Sequence, residues 1–119
     1  MQRDMDVIRT ILLKVRDADR AISAKDLPSI NAIVFARHVQ LMEEAGLCCC
    51  SIRPDSQGLA VGAIVFRLTW AGYDFAESIT DDSIWQSAKD RVIKPAASWT
   101  FDILKAYLKS EISRHIPGF

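Results

Sequence analysis

Two stretches of this chain decide its fold. They read Arg37-His38-Val39-Gln40-Leu41-Met42-Glu43-Glu44-Ala45-Gly46-Leu47 and Arg67-Leu68-Thr69-Trp70-Ala71-Gly72-Tyr73-Asp74-Phe75. The first predicts a helix that ends at a left-handed glycine and leads into a strand. The second predicts a strand that ends at a threonine helix cap. Helix, strand, turn, strand and helix in this order are typical of a winged helix-turn-helix domain, which favours recognition of DNA or of another protein.

The residues before these stretches continue the same pattern. Apolar side chains recur at helical spacing and predict a first helix over residues 4–16; they are Met5, Ile8, Leu12 and Val15. A short strand at residues 21–22 is expected next. Ser23 then caps a very short helix over residues 24–27, which Pro28 stops. The following helix begins near Ser29 or Asn31, both good caps, and runs to Ala45.

The residues after the first stretch predict a hairpin and three helices. Turn-forming residues 54–58 separate strands at 47–53 and 59–68, which form a two-stranded wing. Thr69 caps a helix, and two more helices follow, one before Pro95 and one capped by Ser98 or Thr100. We therefore predict an α+β, mostly helical fold: a winged helix-turn-helix with two extra C-terminal helices. It forms a single domain, 1–119, with a winged-helix body at 1–79 and a C-terminal helical extension at 80–119.

The charge balance argues against a dedicated DNA-binding protein. The 119 residues include 15 Lys and Arg and 15 Asp and Glu, and residues 1–79 carry nine basic and ten acidic side chains. A DNA-binding protein usually has a basic excess, because counterion release at phosphates supplies much of its affinity.

The polar start of the chain and the lack of a membrane-length apolar run lead us to expect a cytoplasmic protein.

Several motifs together resemble one family. They are Arg3-Asp4-Met5-Asp6-Val7-Ile8-Arg9-Thr10-Ile11-Leu12-Leu13, Glu44-Ala45-Gly46-Leu47, Arg67-Leu68-Thr69-Trp70-Ala71-Gly72 and Asp81-Asp82-Ser83-Ile84-Trp85. With them the chain resembles the domain-of-unknown-function family numbered 2513, found in bacteria, phages and prophages. One departure is Tyr73, where we expect the family more often to have histidine. The resemblance covers nearly the whole chain and implies a compact, winged-helix-like protein of mobile elements, without implying a reaction, ligand or partner.

The candidate DNA-binding residues lie on the second long helix and on the wing. Arg37 and Gln40 are residue types that make bidentate contacts to guanine and adenine. Arg53, near the wing tip, is the candidate for a phosphate contact, but Asp55 offsets its charge, and a purely structural hairpin is the favoured alternative. Glu43 and Glu44 oppose DNA binding by the helix because they repel phosphates, so an ordinary solvated helix face is the alternative.

The remaining reactive side chains predict no chemistry. His38 falls within an apolar helix face and is interpreted as a hydrogen-bonded core histidine. Cys48, Cys49 and Cys50 are interpreted as small buried hydrophobic residues, since a zinc site needs two spaced pairs or added histidines. No catalytic set is present, and Asp81-Asp82 is a helix cap. We expect no enzyme activity, cofactor or metal.

Aromatic and apolar stripes raise the question of partners. Trp70, Trp85 and Trp99 are expected to pack the C-terminal helices against the body, with an aromatic interface patch as the alternative. The stripe of the last helix suits either a homodimer, which is slightly favoured, or the domain's own core; its members are Phe101, Leu104, Leu108 and Ile112. The sequence thus favours a DNA-binding transcriptional regulator of a phage or prophage, with a protein-protein interaction module as the alternative.

Overall fold

Helices and a small sheet alternate from Met5 to Leu68, and helices follow from Trp70 onward in the described residues. The computed structural model describes residues 1–95 and 98–115. These residues form α1 (Met5–Asp17), β1 (Ile22–Ser23), α2 (Ala32–Glu44), β2 (Cys48–Pro54), β3 (Ala60–Leu68), α3 (Trp70–Ser78), α4 (Asp82–Ala88) and α5 (Phe101–Arg114). A 3-10 turn at Ala24–Asp26 follows β1, and a π turn at Lys89–Ile93 extends α4. The predicted α+β, mostly helical class is confirmed. The predicted C-terminal extension includes residues 96–97 and 116–119, which lie outside the described residues.

Polar side chains cap four of the described helices, and for all of these except α1 the sequence predicts the capping residue. In each case a side-chain oxygen accepts a hydrogen bond from a backbone N–H of the first turn, which has no partner within the helix. The caps are Asp4 for α1, Asn31 for α2, Asp81 for α4 and Thr100 for α5. Of the two caps that the sequence offers for α2, the structure uses Asn31.

The sheet has three antiparallel strands in the order β1-β3-β2. β1 is short and pairs Ile22 with Val65 and Ser23 with Ile64. β2 pairs with β3 along its whole length, with breaks in register between Cys49 and Cys50 and between Arg53 and Pro54. β1 pairs only with Ile64 and Val65 of β3. Residues 60–63 of β3 therefore have no neighbouring strand on the β1 side within the described part of the chain.

One compact unit comprises Met1–Ala76. Its core forms where α1 and α2 pack against β3 and where α2 also contacts β2. The apolar spacing of the sequence predicts six core residues for this unit, and all six are buried there: Leu12, Phe35, Val39, Met42, Leu68 and Phe75. The helical spacing of α2 predicts Ala36 on the same solvent-facing side as Arg37 and Gln40, but Ala36 is fully buried. The reason is that α2 contacts the hairpin as well as α1, so its buried arc is wider than one apolar stripe.

The end of α2 is held by two hydrogen bonds. Gly46 has a φ of 74°, a conformation that costs glycine little because it has no β-carbon. Its N–H donates to the Glu43 carbonyl at 2.9 Å, and the Leu47 N–H donates to the Met42 carbonyl at 2.9 Å. This pair of bonds is a Schellman motif, so the predicted glycine cap is confirmed.

The same point of the chain anchors the start of α3. The Thr69 N–H donates to the Leu47 carbonyl at 3.0 Å, and the Thr69 hydroxyl donates to the Gly46 carbonyl. The Thr69 hydroxyl oxygen also accepts from the Gly72 N–H at 3.0 Å, which caps α3 as predicted. A β-carbon on Gly72 would overlap the Leu47 carbonyl oxygen, so only glycine fits there.

A second compact unit begins at Glu77. Within it, α5 packs against α4 and the π turn, and the buried residues are Ile79, Trp85, Ala88, Val92, Leu104 and Leu108. Leu104 and Leu108, the centre of the stripe that could form a homodimer, are therefore covered within one chain. The homodimer stays a prediction, and the burial of this stripe no longer requires it.

The three tryptophans do not share one role. Trp85 is buried and Trp99 is half-buried, whereas Trp70 is 85% exposed. The expectation that Trp70 packs the C-terminal helices is therefore wrong. Its position as the first residue of α3 turns it away from the buried side of that helix, which carries Gly72, Phe75 and Ala76.

Gly72→Ala should destabilise the protein. Replacing a glycine inside a helix by alanine normally stabilises a protein, provided that the methyl group has space. Here the added methyl group must displace the Leu47 carbonyl, so we expect a loss of about 1–3 kcal/mol in the free energy of unfolding. Urea denaturation measures it, with Ala71→Ser at the neighbouring exposed position as the control. A Gly72→Ala variant as stable as the parent would contradict the close approach.

Candidate nucleic-acid interface

The exposed face of α2 is narrower than its sequence suggests. The helical spacing predicts Ile33, Arg37, Gln40 and Glu44 as its members. Ile33 is 39% exposed and Glu44 is exposed, whereas Arg37 and Gln40 are half-buried. The hairpin between β2 and β3 covers the side of α2 that carries Gln40.

Gln40 is fully used by the hairpin. Its side-chain Nε2 donates to the Gly58 carbonyl at 2.8 Å, and its Oε1 accepts from the Ala60 N–H at 3.0 Å. These are the donor and the acceptor that a bidentate contact to adenine needs. The predicted contact between Gln40 and a base therefore requires both hydrogen bonds to open.

Arg37 is tied to the same strand by one nitrogen. Its Nε donates to the Ala60 carbonyl at 3.4 Å, which directs the side chain along the edge of β3. The terminal guanidinium nitrogens are not used in this bond and can still donate to a ligand. Arg37 also lies near Asp55, whose pKa is lowered mainly by hydrogen bonds from the Leu59 and Gln57 N–H groups and further by this guanidinium.

Arg53 lies apart from these two residues, on β2. Its guanidinium rests on Gly62 of the neighbouring strand: a β-carbon at Gly62 would lie 3.1 Å from Nη2 and 3.2 Å from Nε. Gly62 is paired with Arg53 in the sheet. A glycine in this strand therefore provides the space in which the guanidinium lies.

Arg53 forms part of an open cleft of about 470 Å³ between the 3-10 turn, the start of α2 and the hairpin. Small and apolar side chains make up most of the wall, and Lys25 stands on it as a second cation. The lining residues are Ser23, Ala24, Lys25, Ala32, Ser51, Ile52, Arg53, Val61, Gly62, Ala63 and Ile64. None of these residues is acidic, so the cleft is cationic in a chain whose formal net charge is zero.

Neither cation of the cleft is neutralised. Among residues 1–95 and 98–115, the charged groups of Lys25 and Arg53 have no hydrogen-bond or ion-pair partner. The adjacent carboxylate, Asp26, is bound elsewhere, by Arg20 at 2.7 Å and by the Ser23 N–H at 2.9 Å. These two bonds lower the pKa of Asp26 to about 2, with the Arg20 bond the larger cause.

Of the two cations in the cleft, the sequence singles out Arg53 as a candidate phosphate contact but not Lys25. The sequence shows Lys25 only as a polar residue of a one-turn helix, a common solvent-facing position. Its place opposite β2 depends on how this turn packs against the hairpin, which no local pattern records.

His38 is a structural residue, as predicted. It is almost fully buried, its Nε2 accepts from the Asp4 N–H at 2.9 Å, and its Nδ1 lies 2.8 Å from the Val34 carbonyl. Because Nε2 accepts, Nδ1 carries the proton and donates to Val34. The neutral ring thus connects the N-cap of α1 to α2 and has no position left for a substrate.

The three cysteines are free thiols. Cys48 is buried, whereas Cys49 and Cys50 are half-buried, and the Cys50 thiol donates to Glu43 Oε2 at 3.2 Å. Burial is the main cause that raises the pKa of Cys48 to about 11, and burial and the Glu43 bond raise that of Cys50. Both stay protonated at neutral pH, which makes them weak nucleophiles.

Metal-binding clusters and membrane-spanning helices are both absent from the described residues. These residues contain no group of three or more His, Cys, Asp or Glu side chains placed to hold a metal ion. None of their helices combines the length and the apolar character needed to cross a membrane.

Comparisons with known proteins identify a family and one relative. The sequence profile of the family described as "Hypothetical protein (DUF2513)" matches residues 2–98. The chain is also similar to an "Uncharacterized protein" of Haemophilus influenzae (strain ATCC 51907 / DSM 11121 / KW20 / Rd). The two are 26% identical over 118 residues, which cover 96% of this chain and 98% of the relative. No solved structure matches the chain.

Gln40→Glu tests whether this amide is a structural clamp. The carboxylate keeps an acceptor for the Ala60 N–H but places an oxygen against the Gly58 carbonyl. We expect a loss of about 0.5–1.5 kcal/mol in the free energy of unfolding, the usual worth of one hydrogen bond. Hydrogen exchange should also accelerate at the hairpin turn, with Glu44→Gln as the control on the exposed face. Unchanged stability and exchange would mean that the Gln40 amide is free to contact a ligand.

Proposed function

The chain belongs to the DUF2513 family, and we propose that it is a winged-helix protein that binds double-stranded DNA. The support comes from the order of its elements, α1, β1, a short turn, α2, β2, β3, and from the sheet order β1-β3-β2. In this arrangement α2 takes the place of a recognition helix, the 3-10 turn takes the place of the helix before it, and β2 and β3 form the wing. The step from this fold to DNA is an analogy between folds.

The exposed part of α2 supports this assignment at one end. In helix-turn-helix proteins the N-terminal residues of the recognition helix contact base edges in the major groove. Ile33 and Arg37 lie in that half of α2. Ile33 offers an apolar surface for a thymine methyl group, and Arg37 offers donors for guanine O6 and N7.

The acidic residues of α2 are compatible with this placement. Glu43 and Glu44 lie in the last turn of the helix, and Glu43 accepts a hydrogen bond from Cys50. A helix that enters the groove with its first half keeps this end away from the bases. The interface is then Ile33 and Arg37 on α2 with Arg53 on the wing, and Gln40 contributes by fixing the wing to the helix.

The proposed role is that of a small transcriptional regulator of a phage or prophage. The observation that carries the proposal is the pairing of β1 with β3 beside a capped helix whose first turn is exposed at Ala32 and Ile33. This arrangement gives a rigid helix with an adjacent wing, which is the geometry that groove recognition requires.

Arg37→Ala should weaken specific binding by about 1–3 kcal/mol, because it removes one bidentate base contact. Fluorescence anisotropy with duplex fragments from the protein's own genomic neighbourhood, at low salt, measures this. Arg91→Ala, an exposed arginine of the second unit, is the control and should leave the affinity unchanged. Absence of binding to every fragment at low salt would rule out the DNA-binding proposal.

A specific observation favours a second candidate function, a protein-protein interaction module. Trp70 and Phe66 are 85% and 56% exposed, and tryptophan is enriched at binding hot spots. Neutral net charge is also easier to reconcile with a protein partner.

Trp70→Ser separates the two candidate functions. In a protein interaction module, this change should weaken binding to a purified partner by at least tenfold, while the free energy of unfolding changes by less than about 0.5 kcal/mol, as usual for a surface site. Calorimetric titration measures the binding, and Ser78→Ala on the same helix is the control. Full affinity in the Trp70→Ser variant would exclude this surface.

A further inference from the structure

The cationic cleft has a chemistry of its own, separate from the base-reading face of α2. We propose that Lys25 and Arg53 clamp one phosphodiester of a nucleic-acid backbone between the 3-10 turn and the wing. This inference rests on the proposed function and assigns the cleft to it as the site that holds the DNA strand beside α2.

The charge of the cleft points to an anionic ligand. Lys25 and Arg53 approach from two different elements, and no carboxylate lies among the described lining residues. The carboxylate nearest in sequence, Asp26, already binds Arg20 and the Ser23 N–H. Because both cations line one concavity without a carboxylate, an anion that enters it is attracted by both.

The two cations offer complementary contacts. A guanidinium presents a planar fork of N–H donors that matches two phosphate oxygens, whereas an ammonium acts as a point charge on a flexible stem. Arg53 lies against Gly62, which holds its guanidinium on the sheet in the absence of a ligand. Lys25 is exposed on the 3-10 turn, and its flexible side chain can adjust to the position of the nucleic-acid backbone.

The location of the cleft fits a backbone contact. Ala32, the first residue of α2, lines the cleft, so the cleft lies at the same end of the helix as Ile33. A helix that enters the major groove with this end has a phosphate strand passing beside its N-terminus. The cleft lies at this position, and its mostly apolar walls suit the sugar that carries the phosphate.

The test is the salt dependence of duplex binding. Each phosphate contact contributes about −0.9 to the slope of log Kobs against log salt concentration. Anisotropy titrations with a mixed-sequence duplex, at four salt concentrations, compare the wild type with Lys25→Gln, Arg53→Gln and the double variant. We expect the double variant to lose about one unit of slope. The affinity of the double variant should fall by a similar factor for duplexes of every sequence. Lys109→Gln, an exposed lysine on α5, is the matched control and should keep the wild-type slope.

Gly62→Val distinguishes a placed guanidinium from a general positive field. It leaves the net charge unchanged and pushes the Arg53 guanidinium off the sheet. If Lys25 and Arg53 clamp a phosphodiester, the slope of log Kobs against log salt concentration should be shallower for this variant as well. Circular dichroism checks that the variant is folded. A wild-type slope in folded Gly62→Val would contradict the placement of Arg53.

The remaining outcomes separate the two proposals. Duplex binding with an unchanged slope in the double variant would overturn the clamp and leave the proposed function standing. No duplex binding by the wild type, even at low salt, would overturn both. Inorganic phosphate that shifts the amide signals of Ser51 and Gly62, where duplex DNA does not, would assign the cleft to a free phosphorylated molecule and overturn the backbone contact.

Discussion

The Leu47 carbonyl is the point on which the first unit depends. It follows the glycine that ends α2, accepts the Thr69 N–H at 3.0 Å and lies against Gly72. One peptide group therefore connects the end of α2, the start of β2, the end of β3 and the start of α3. The two sequence stretches that decide the fold meet here, and the glycines in them are required for different reasons. Gly46 adopts a left-handed conformation, whereas Gly72 allows two backbones to approach closely.

This junction also sets the position of the hairpin relative to α2. With the base of the hairpin fixed at Leu47 and Leu68, its turn returns along the helix, where Gln40 and Arg37 bind the backbone at Gly58 and Ala60. The helix and the hairpin are thus held at both ends. A rigid pair of this kind suits groove recognition, but it uses polar side chains that the sequence alone would assign to a ligand.

Net charge describes this protein poorly. The formal charges sum to zero, yet acidic side chains are occupied within the fold: Asp26 binds Arg20, Asp55 caps the hairpin turn and Glu43 accepts from Cys50. The cleft between the 3-10 turn and the β2–β3 hairpin has two cations and no carboxylate among its lining residues. A neutral composition therefore leaves room for a local anion-binding site, because the interaction with a phosphate depends on nearby charges and falls off with distance.

The sequence by itself determined the elements and most of the core. The caps at Asn31, Thr69, Asp81 and Thr100, and the glycine after α2, follow from local hydrogen-bond rules that operate within a few residues. The apolar spacing likewise predicted the burial of Phe35, Val39 and Met42. Each of these features depends only on residues close together in the chain, and for that reason the order of amino acids is enough to predict it.

Only the tertiary structure decided which polar and aromatic side chains are available. Ala36 is buried and Gln40 is bound because the hairpin lies on that side of α2, while Trp70 is left exposed at the start of α3. Lys25 and Arg53 are 28 positions apart and reach one cleft because the 3-10 turn packs against β3 and α2. Such relations depend on long-range packing, whose geometry is not written in the spacing of residues along any one element.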